Sequence, residues 1–367
     1  DLFSREVETL GFSQMVPVAE ISDPKNDYNL NLPRYIDSTE AEDLQDIVSR
    51  LHDDDFDRVI LTGMGSSLHG SYPLYLQLSQ ALSVPACLVD TSELVQQAPE
   101  MVSRRSLMIA TSQSGESGEI VELTKLPGMR PAATISVTNQ LSNSLANWAD
   151  VRLASRAGPE MTVTSKSYTG GFACLHILGA ALRGGLPQAA KEIADAATAC
   201  AAMLENWQPG IRDVTEFLDA QIPLMYVGRG KSLGSAQVAA LLTQEAAKMS
   251  CSALSGGQFR HGPIELARDG FQMVIFLGDL KTRDIDMALI KKITSLGGKV
   301  VAVAPKASAP AETEGLRVYS YPDVAHPLTP LMEAIFIQLL QIPLVVRQKC
   351  YRGSLRVVED ASTALNQ

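Results

Sequence analysis

Two stretches of this chain share one design, and they limit the fold more than anything else in it. Val59-Ile60-Leu61-Thr62-Gly63-Met64-Gly65-Ser66-Ser67 is an apolar run that breaks into a glycine turn and continues as an apolar helix through Leu82. Leu224-Met225-Tyr226-Val227-Gly228-Arg229-Gly230-Lys231-Ser232 does the same, with a helix from about Leu233 to Lys248. The leading glycines, Gly63 and Gly228, lie 165 residues apart, which suggests an internal duplication. An apolar run without polar alternation suits a strand buried on both faces. Further short apolar runs follow at residues 86–89, 106–110, 134–137 and 151–154, and in the second half at 273–276, 300–304 and 317–319, separated by helical periods. Strands alternating with helices predict parallel sheets covered on both faces, an α/β architecture wound twice.

Helical patterns over 168–182 and 188–207 separate the halves, and Pro209-Gly210 supplies a stop signal just beyond them. The expected organisation is therefore a leader at 1–48, a first domain at 49–207, a second at 208–350 and a tail at 351–367. A Gly-x-Gly after a strand also opens dinucleotide-binding folds. Here Gly63-x-Gly65 continues as Ser66-Ser67-Leu68, without the third glycine, which disfavours a nicotinamide cofactor.

Charge narrows the partners. The formal net charge of −10 and the lack of a Lys/Arg cluster argue against nonspecific binding to nucleic acid or an anionic membrane. The acidic run Asp53-Asp54-Asp55-Phe56-Asp57 is expected as a solvated loop before a strand rather than a metal site. Five scattered cysteines, Cys87, Cys174, Cys200, Cys251 and Cys350, show no Cys-x-x-Cys spacing and fit reduced thiols in a cytoplasmic protein. No stretch has the form of a signal peptide. The longest apolar stretch, 334–346, is short for a bilayer and is expected as a buried helix.

The chemistry concentrates after the third strand, where Ser112-Gln113-Ser114-Gly115-Glu116-Ser117 leads into a helical pattern at 120–126. A buried strand feeding a glycine, several hydroxyls and a helix start forms a pocket of N–H donors. Unpaired N–H groups and the helix dipole both favour an anion, and a phosphate fits. The hydroxyls add rotating donors that carry no charge. Ser67, at the first glycine turn, fits either a helix N-cap or a ligand contact, and one residue can serve as both. Glu245 reads, by periodicity alone, as an ordinary exposed helix carboxylate. His261 lies in a Gly-rich loop, Gly256 to Pro263, and loops of that kind carry sites.

Together, Gly63-Met64-Gly65-Ser66-Ser67, the serine loop, Ala157-Gly158-Pro159-Glu160, Thr164-Ser165-Lys166 and Phe259-Arg260-His261-Gly262-Pro263 resemble the sugar isomerase (SIS) family in its double-domain form, including the isomerase half of glucosamine-6-phosphate synthase and standalone phosphosugar isomerases and deaminases. The resemblance implies two tandem doubly wound, three-layer αβα domains of the flavodoxin-like kind. It implies that Ser67, Ser112, Gln113, Ser114 and Ser117 hold a sugar 6-phosphate, and that Thr164 and Ser165 touch the sugar across a one-residue gap in the match. Glu245, sixteen residues before His261, would shuttle a proton between C1 and C2, a task for a carboxylate whose pKa is raised by partial burial. His261 would open the ring, since imidazole titrates near neutrality. Its loop would complete the neighbouring subunit's pocket in a homodimer, with His69 behind the first turn. Neither a metal nor an organic cofactor is implied.

Departures are equally specific. The synthase pattern has a lysine three residues before the base, where this chain has Leu242. Its tail lysine, able to form an imine, is matched by Arg356, which stays protonated but can bind a sugar oxygen or phosphate; Lys349 is a less well aligned substitute. No stretch of these residues resembles an ammonia-supplying amidotransferase. After its third strand region the second half has Leu277-Gly278-Asp279-Leu280-Lys281 instead of serines, so one working phosphate pocket is expected, in the first half. Residues 1–48 do not fit the pattern; 25–37 weakly resemble a segment of a type I restriction-modification DNA methyltransferase subunit, without its Asn-Pro-Pro-Tyr motif. The leading expectation is an aldose–ketose isomerase or deaminating isomerase of a hexose or hexosamine 6-phosphate such as glucosamine 6-phosphate. The rival is a sensor that binds the sugar phosphate without turning it over. A purely structural role leaves the serine loop and the His261 loop unexplained.

Overall fold

The computed structural model describes residues 38–53, 55–126, 130–160 and 163–349. Arg356, the 25–37 segment and Cys350 lie outside the described residues. The first half runs α1 (Ser38–His52), β1 (Arg58–Gly63), α2 (Gly65–Ala81), β2 (Ala86–Asp90), α3 (Thr91–Gln96), β3 (Ser106–Thr111), α4 (Gly118–Thr124), β4 (Ala133–Thr138), α5 (Ser144–Trp148) and β5 (Val151–Ala154). Then come α6 (Lys166–Ala181), α7 (Leu186–Glu205) and α8 (Gln208–Phe217). The second half continues with β6 (Leu224–Gly228), α9 (Ser232–Leu242), β7 (Cys251–Ser255), α10 (Gly256–Arg260), β8 (Gln272–Phe276), α11 (Arg283–Ser295), β9 (Lys299–Pro305), β10 (Leu316–Tyr321) and α12 (Thr329–Arg347).

Two five-stranded parallel sheets result, ordered β2-β1-β3-β4-β5 and β7-β6-β8-β9-β10. The order is the same in both, as a duplication requires. Alternate residues of each strand enter opposite layers. In the first half, Val59 and Leu61 pack under α1, α2 and α6, whereas Ile60 packs under α3, α4 and α5. In the second, Leu224 and Tyr226 face α8, α9 and α12, and Met225 and Val227 face α11. Both halves are thus three-layer αβα sandwiches.

The halves are not independent. Tyr168 and Phe172 of α6 belong to the second half's core, while Leu175 and Leu178 of the same helix belong to the first's. Helices α2 and α9 approach closely, so that a Cβ at Gly234 would come within 2.7 Å of the His69 carbonyl oxygen.

Several local expectations change. Pro209 and Gly210 lie in the first turn of α8 rather than ending a helix; proline fits there because its missing N–H has no intrahelical partner anyway. Helix α1 runs across residues 48 and 49, and its Leu44, Ile47 and Leu51 join the first core. The Gly256–Pro263 segment is no simple loop, since its first five residues form α10. Strand β7 corresponds to none of the apolar runs in the sequence. The apolar run His326–Arg347 is long and apolar enough to cross a membrane, yet 67% of its most apolar window is buried against the rest of the protein. Burial pushes the thiols of Cys174 and Cys251 up to about 12 and that of Cys200 to about 11, as fits packed, unreactive cysteines.

Candidate active site

In a doubly wound sheet, ligands bind outside the carboxyl ends of the strands where the winding direction reverses. In the first half that point lies between β1 and β3. A small cleft, partly open to solvent, occupies it. Its polar lining is Ser66 and Ser67 from the head of α2, Thr111 and Gln113 at the carboxyl end of β3, Thr138 and Asn139 at that of β4, with Ser155, Thr164 and Ser167 closing the far side.

The head of α2 is suited to an anion. Its N-cap is Met64, in extended backbone, with no side-chain hydrogen bond to the first turn. Ser67 is therefore not the cap; it lies within the first turn, its N–H donating to the Met64 carbonyl at 3.0 Å. Its hydroxyl is left for the cleft.

The serines of the loop divide their tasks. Ser112 is buried, and its Oγ accepts from the Gly115 N–H at 3.1 Å, so its hydroxyl shapes the loop. Ser114 Oγ accepts from the Glu116 N–H at 3.2 Å. Ser117 is the N-cap of α4 without a side-chain cap bond. Of the loop, Gln113 lines the cleft. Glu116 ties the loop to α5 by accepting from Ser144 N–H and Oγ at 2.5 and 2.8 Å.

Thr164 lines the cleft and Ser165 does not. Ser165 is engaged with Glu160, whose carboxylate accepts from Ser165 N–H (2.8 Å), Ser165 Oγ (2.9 Å), Ser167 N–H (3.2 Å) and Ser167 Oγ. Burial pushes this carboxyl up, but the four donors outweigh it and hold the pKa below the ordinary value. Asn139 does similar work: its Oδ1 accepts from Ala157 N–H (2.8 Å) and Ser155 Oγ (3.1 Å), and its Nδ2 donates to the Gly158 carbonyl (2.8 Å). Sequence reasoning gave no role to Glu160, Asn139, Ser155 or Ser167. The signal for Glu160 was present in Ala157-Gly158-Pro159-Glu160.

Helix α9 passes into a π-helical turn at Thr243–Ala247, and Glu245 sits in it, half-buried. One turn earlier, Leu241 Cδ2 is 3.5 Å from where a Cβ on Gly65 would lie, which puts the approach to this turn beside the head of α2; Glu245 itself does not line the cleft. Burial raises the Glu245 carboxyl, and nearby Lys248 opposes that in part. Single π turns inside helices are frequent at functional sites. Leu242 is buried in the second core. His261 is exposed, caps α10, and does not line the cleft of its own chain. His69 is held below its ordinary pKa by burial, with Asp90 opposing. Lys349 follows Arg347 and Gln348, which donate to carbonyls at Leu218 and Ala220. It therefore sits where the strands of the second sheet begin, away from the carboxyl ends.

Residues 54–178 and 218–346 each match the SIS domain family, and the chain belongs to it. The glutamine–fructose-6-phosphate aminotransferase (isomerizing) of Pyrococcus horikoshii is 26% identical over 306 residues, covering 79% of this chain and 49% of that protein. The chain thus spans about half the length of the curated relatives it matches. Among solved structures, the C-terminal domain of glucosamine-fructose-6-phosphate aminotransferase from Francisella tularensis superposes with a TM-score of 0.74 at 20% identity, over 84% of this chain and 88% of that one. The tagatose-6-phosphate ketose/aldose isomerase of Escherichia coli gives 0.68 at 19% identity, over 92% and 95%.

Proposed function

We propose that this chain is an aldose–ketose isomerase, or a deaminating isomerase, of a hexose or hexosamine 6-phosphate. The observation that carries the reading is the uncapped head of α2 facing a hydroxyl-lined cleft, with Leu241, one turn before Glu245, packed beside Gly65 at that head. The phosphoryl group lies against Ser66, Ser67 and Gln113, and the sugar extends toward Thr164. Glu245 takes the proton from C2 of the open-chain aldose, leaving an enediolate, and returns it at C1 while the O2 proton passes to O1. A carboxyl pKa raised by burial suits both halves of that transfer. With a 2-amino sugar the same proton transfer gives the C2 imine, which water hydrolyses to the ketose and ammonia. His261 of a second copy moves the proton that opens the ring, making the working unit a homodimer. Relatives named for isomerisation of sugar phosphates support the class of reaction.

The test is to incubate the protein with glucose 6-phosphate, fructose 6-phosphate and glucosamine 6-phosphate in deuterated water, following deuterium at C2 and release of ammonia. Exchange is expected with at least one substrate, and Glu245→Gln is expected to slow it by about 100-fold or more while ligand-induced thermal stabilisation persists. Stabilisation by a sugar phosphate with no exchange in the wild-type chain would establish the sensor instead. Leu242, core-buried where the synthase pattern has lysine, is the feature that favours that rival.

A further inference from the structure

Helix α6 lays one face along the cleft. Ser167, Tyr168, Gly171, Phe172 and Leu175 line it, at the three- and four-residue spacing of a helical stripe, with Gly171 in the middle. A glycine inside a helix is unfavourable relative to alanine, so it needs a reason. Its neighbours have one: a Cβ at Gly170 would lie 3.1 Å from Ser155 Cβ, and one at Gly179 would lie 2.7 Å from Leu74 Cδ1. A Cβ at Gly171 would meet nothing within 4 Å. Protein packing therefore does not call for glycine here, and the space in front of it belongs to the cleft. We propose that Gly171 is a specificity-determining residue, its missing side chain leaving the room in which the sugar portion of the ligand lies against α6. The surroundings suit a carbohydrate, with the apolar groups of Tyr168 and Phe172 and the hydroxyls of Ser67 and Thr164 in one lining, while the Ser167 hydroxyl is turned to Glu160. This rests on the reading that the cleft takes a hexose 6-phosphate.

The experiment uses the full chain and two variants, Gly171→Ala and Gly171→Leu. Thermal unfolding is measured without ligand, and affinities for inorganic phosphate, fructose 6-phosphate and glucosamine 6-phosphate are measured by calorimetry. Gly171→Ala is expected to unfold at the same or a higher temperature, because it gains helix propensity without a clash. Both sugar phosphates should bind about 3-fold to 10-fold more weakly to the alanine variant and about 100-fold more weakly to the leucine variant, with inorganic phosphate changed by less than about twofold. Unaltered sugar-phosphate binding in Gly171→Ala and Gly171→Leu overturns the inference. A parallel loss of inorganic phosphate, or a lower unfolding temperature for Gly171→Ala, overturns it as well, since either points to a disturbed fold. If the wild-type chain binds neither sugar phosphate, the functional reading fails and this inference with it, a result visible before any variant is made.

Discussion

The two halves carry the same turn and use it in opposite ways. Gly65 and Gly230 both take a left-handed backbone, with φ of +50° and +52°, and each opens the way into a helix. After the third strand of each half, Ser112 N–H donates to Val137 and Leu277 N–H donates to Val303, at 3.0 and 2.8 Å, so the frames coincide. What fills the frame differs. In the first half, Ser67 and Gln113 border an open cleft. In the second, Ser232 Oγ donates to the buried Glu333 at 2.7 Å, Gly278 lies against the same carboxylate, and Asp279 reaches over Gly230. The second half fills the place with its own carboxylates where the first leaves an open cleft. A duplicated fold can thus leave one turn open and build the other into structure.

The comparison breaks most readily at Glu333. Burial raises its carboxyl to about 7, against an ordinary value of 4.5, with Ser235 and Ser232 opposing. The folded protein therefore keeps a proton that the unfolded chain releases. Stability from this group is complete below about pH 4.5 and declines as pH rises toward 7. Glu333→Gln should remove the decline, so that denaturant unfolding at pH 8 finds the variant more stable than wild type by about 3 kcal/mol, with the gap closing by pH 4.5. Gly278→Ala comes next. Its Cβ would lie 2.4 Å from Glu333 Oε1 and 2.9 Å from both Ser232 Oγ and Thr329 Oγ1, and urea unfolding should show a loss of about 2 kcal/mol.

Ser67 and Ser232 hold the same place in the two turns, and they sharpen the contrast. Ser232→Ala should cost about 1–2 kcal/mol of stability by taking a donor from Glu333, with hexose 6-phosphate affinity unchanged. Ser67→Ala should do the reverse, weakening that affinity about tenfold by calorimetry at nearly constant stability. Asp279→Asn is the smallest. Asp279 is half-buried, accepts from the Lys281 N–H at 3.0 Å and raises the pKa of Lys231 against the lowering by burial. The variant should lose about 0.5 kcal/mol in a denaturant titration.

The strands buried on both faces were legible because their composition leaves no other role. β7 was not: Cys251-Ser252-Ala253-Leu254-Ser255 mixes small and polar residues and forms a sheet edge, where only Cys251 is fully buried. Pro209-Gly210 misled because the same pair can close one helix or open the next, and only the following Ile211 and Val214, buried on one face, decide it. The serine loop was legible as a polar turn between a buried strand and a helix, but the division of labour within it was not, since which side chain turns toward the cleft depends on backbone angles. Asn139 and Ser155 come from the connections after β4 and β5 and Ser167 from the first turn of α6, and they meet only in the folded chain. Glu333 had a signal in retrospect, a single carboxylate within the apolar run Leu331 to Phe336.

Helix α6 finally bears on how the molecule comes apart. Because it contributes Tyr168 and Phe172 to one core and Leu175 and Leu178 to the other, neither half can melt without stripping a flank from its neighbour. Scission of the backbone between α7 and α8 would leave two fragments with raw hydrophobic seams that hold to each other, and a ligand seated against α6 would brace both sandwiches at once.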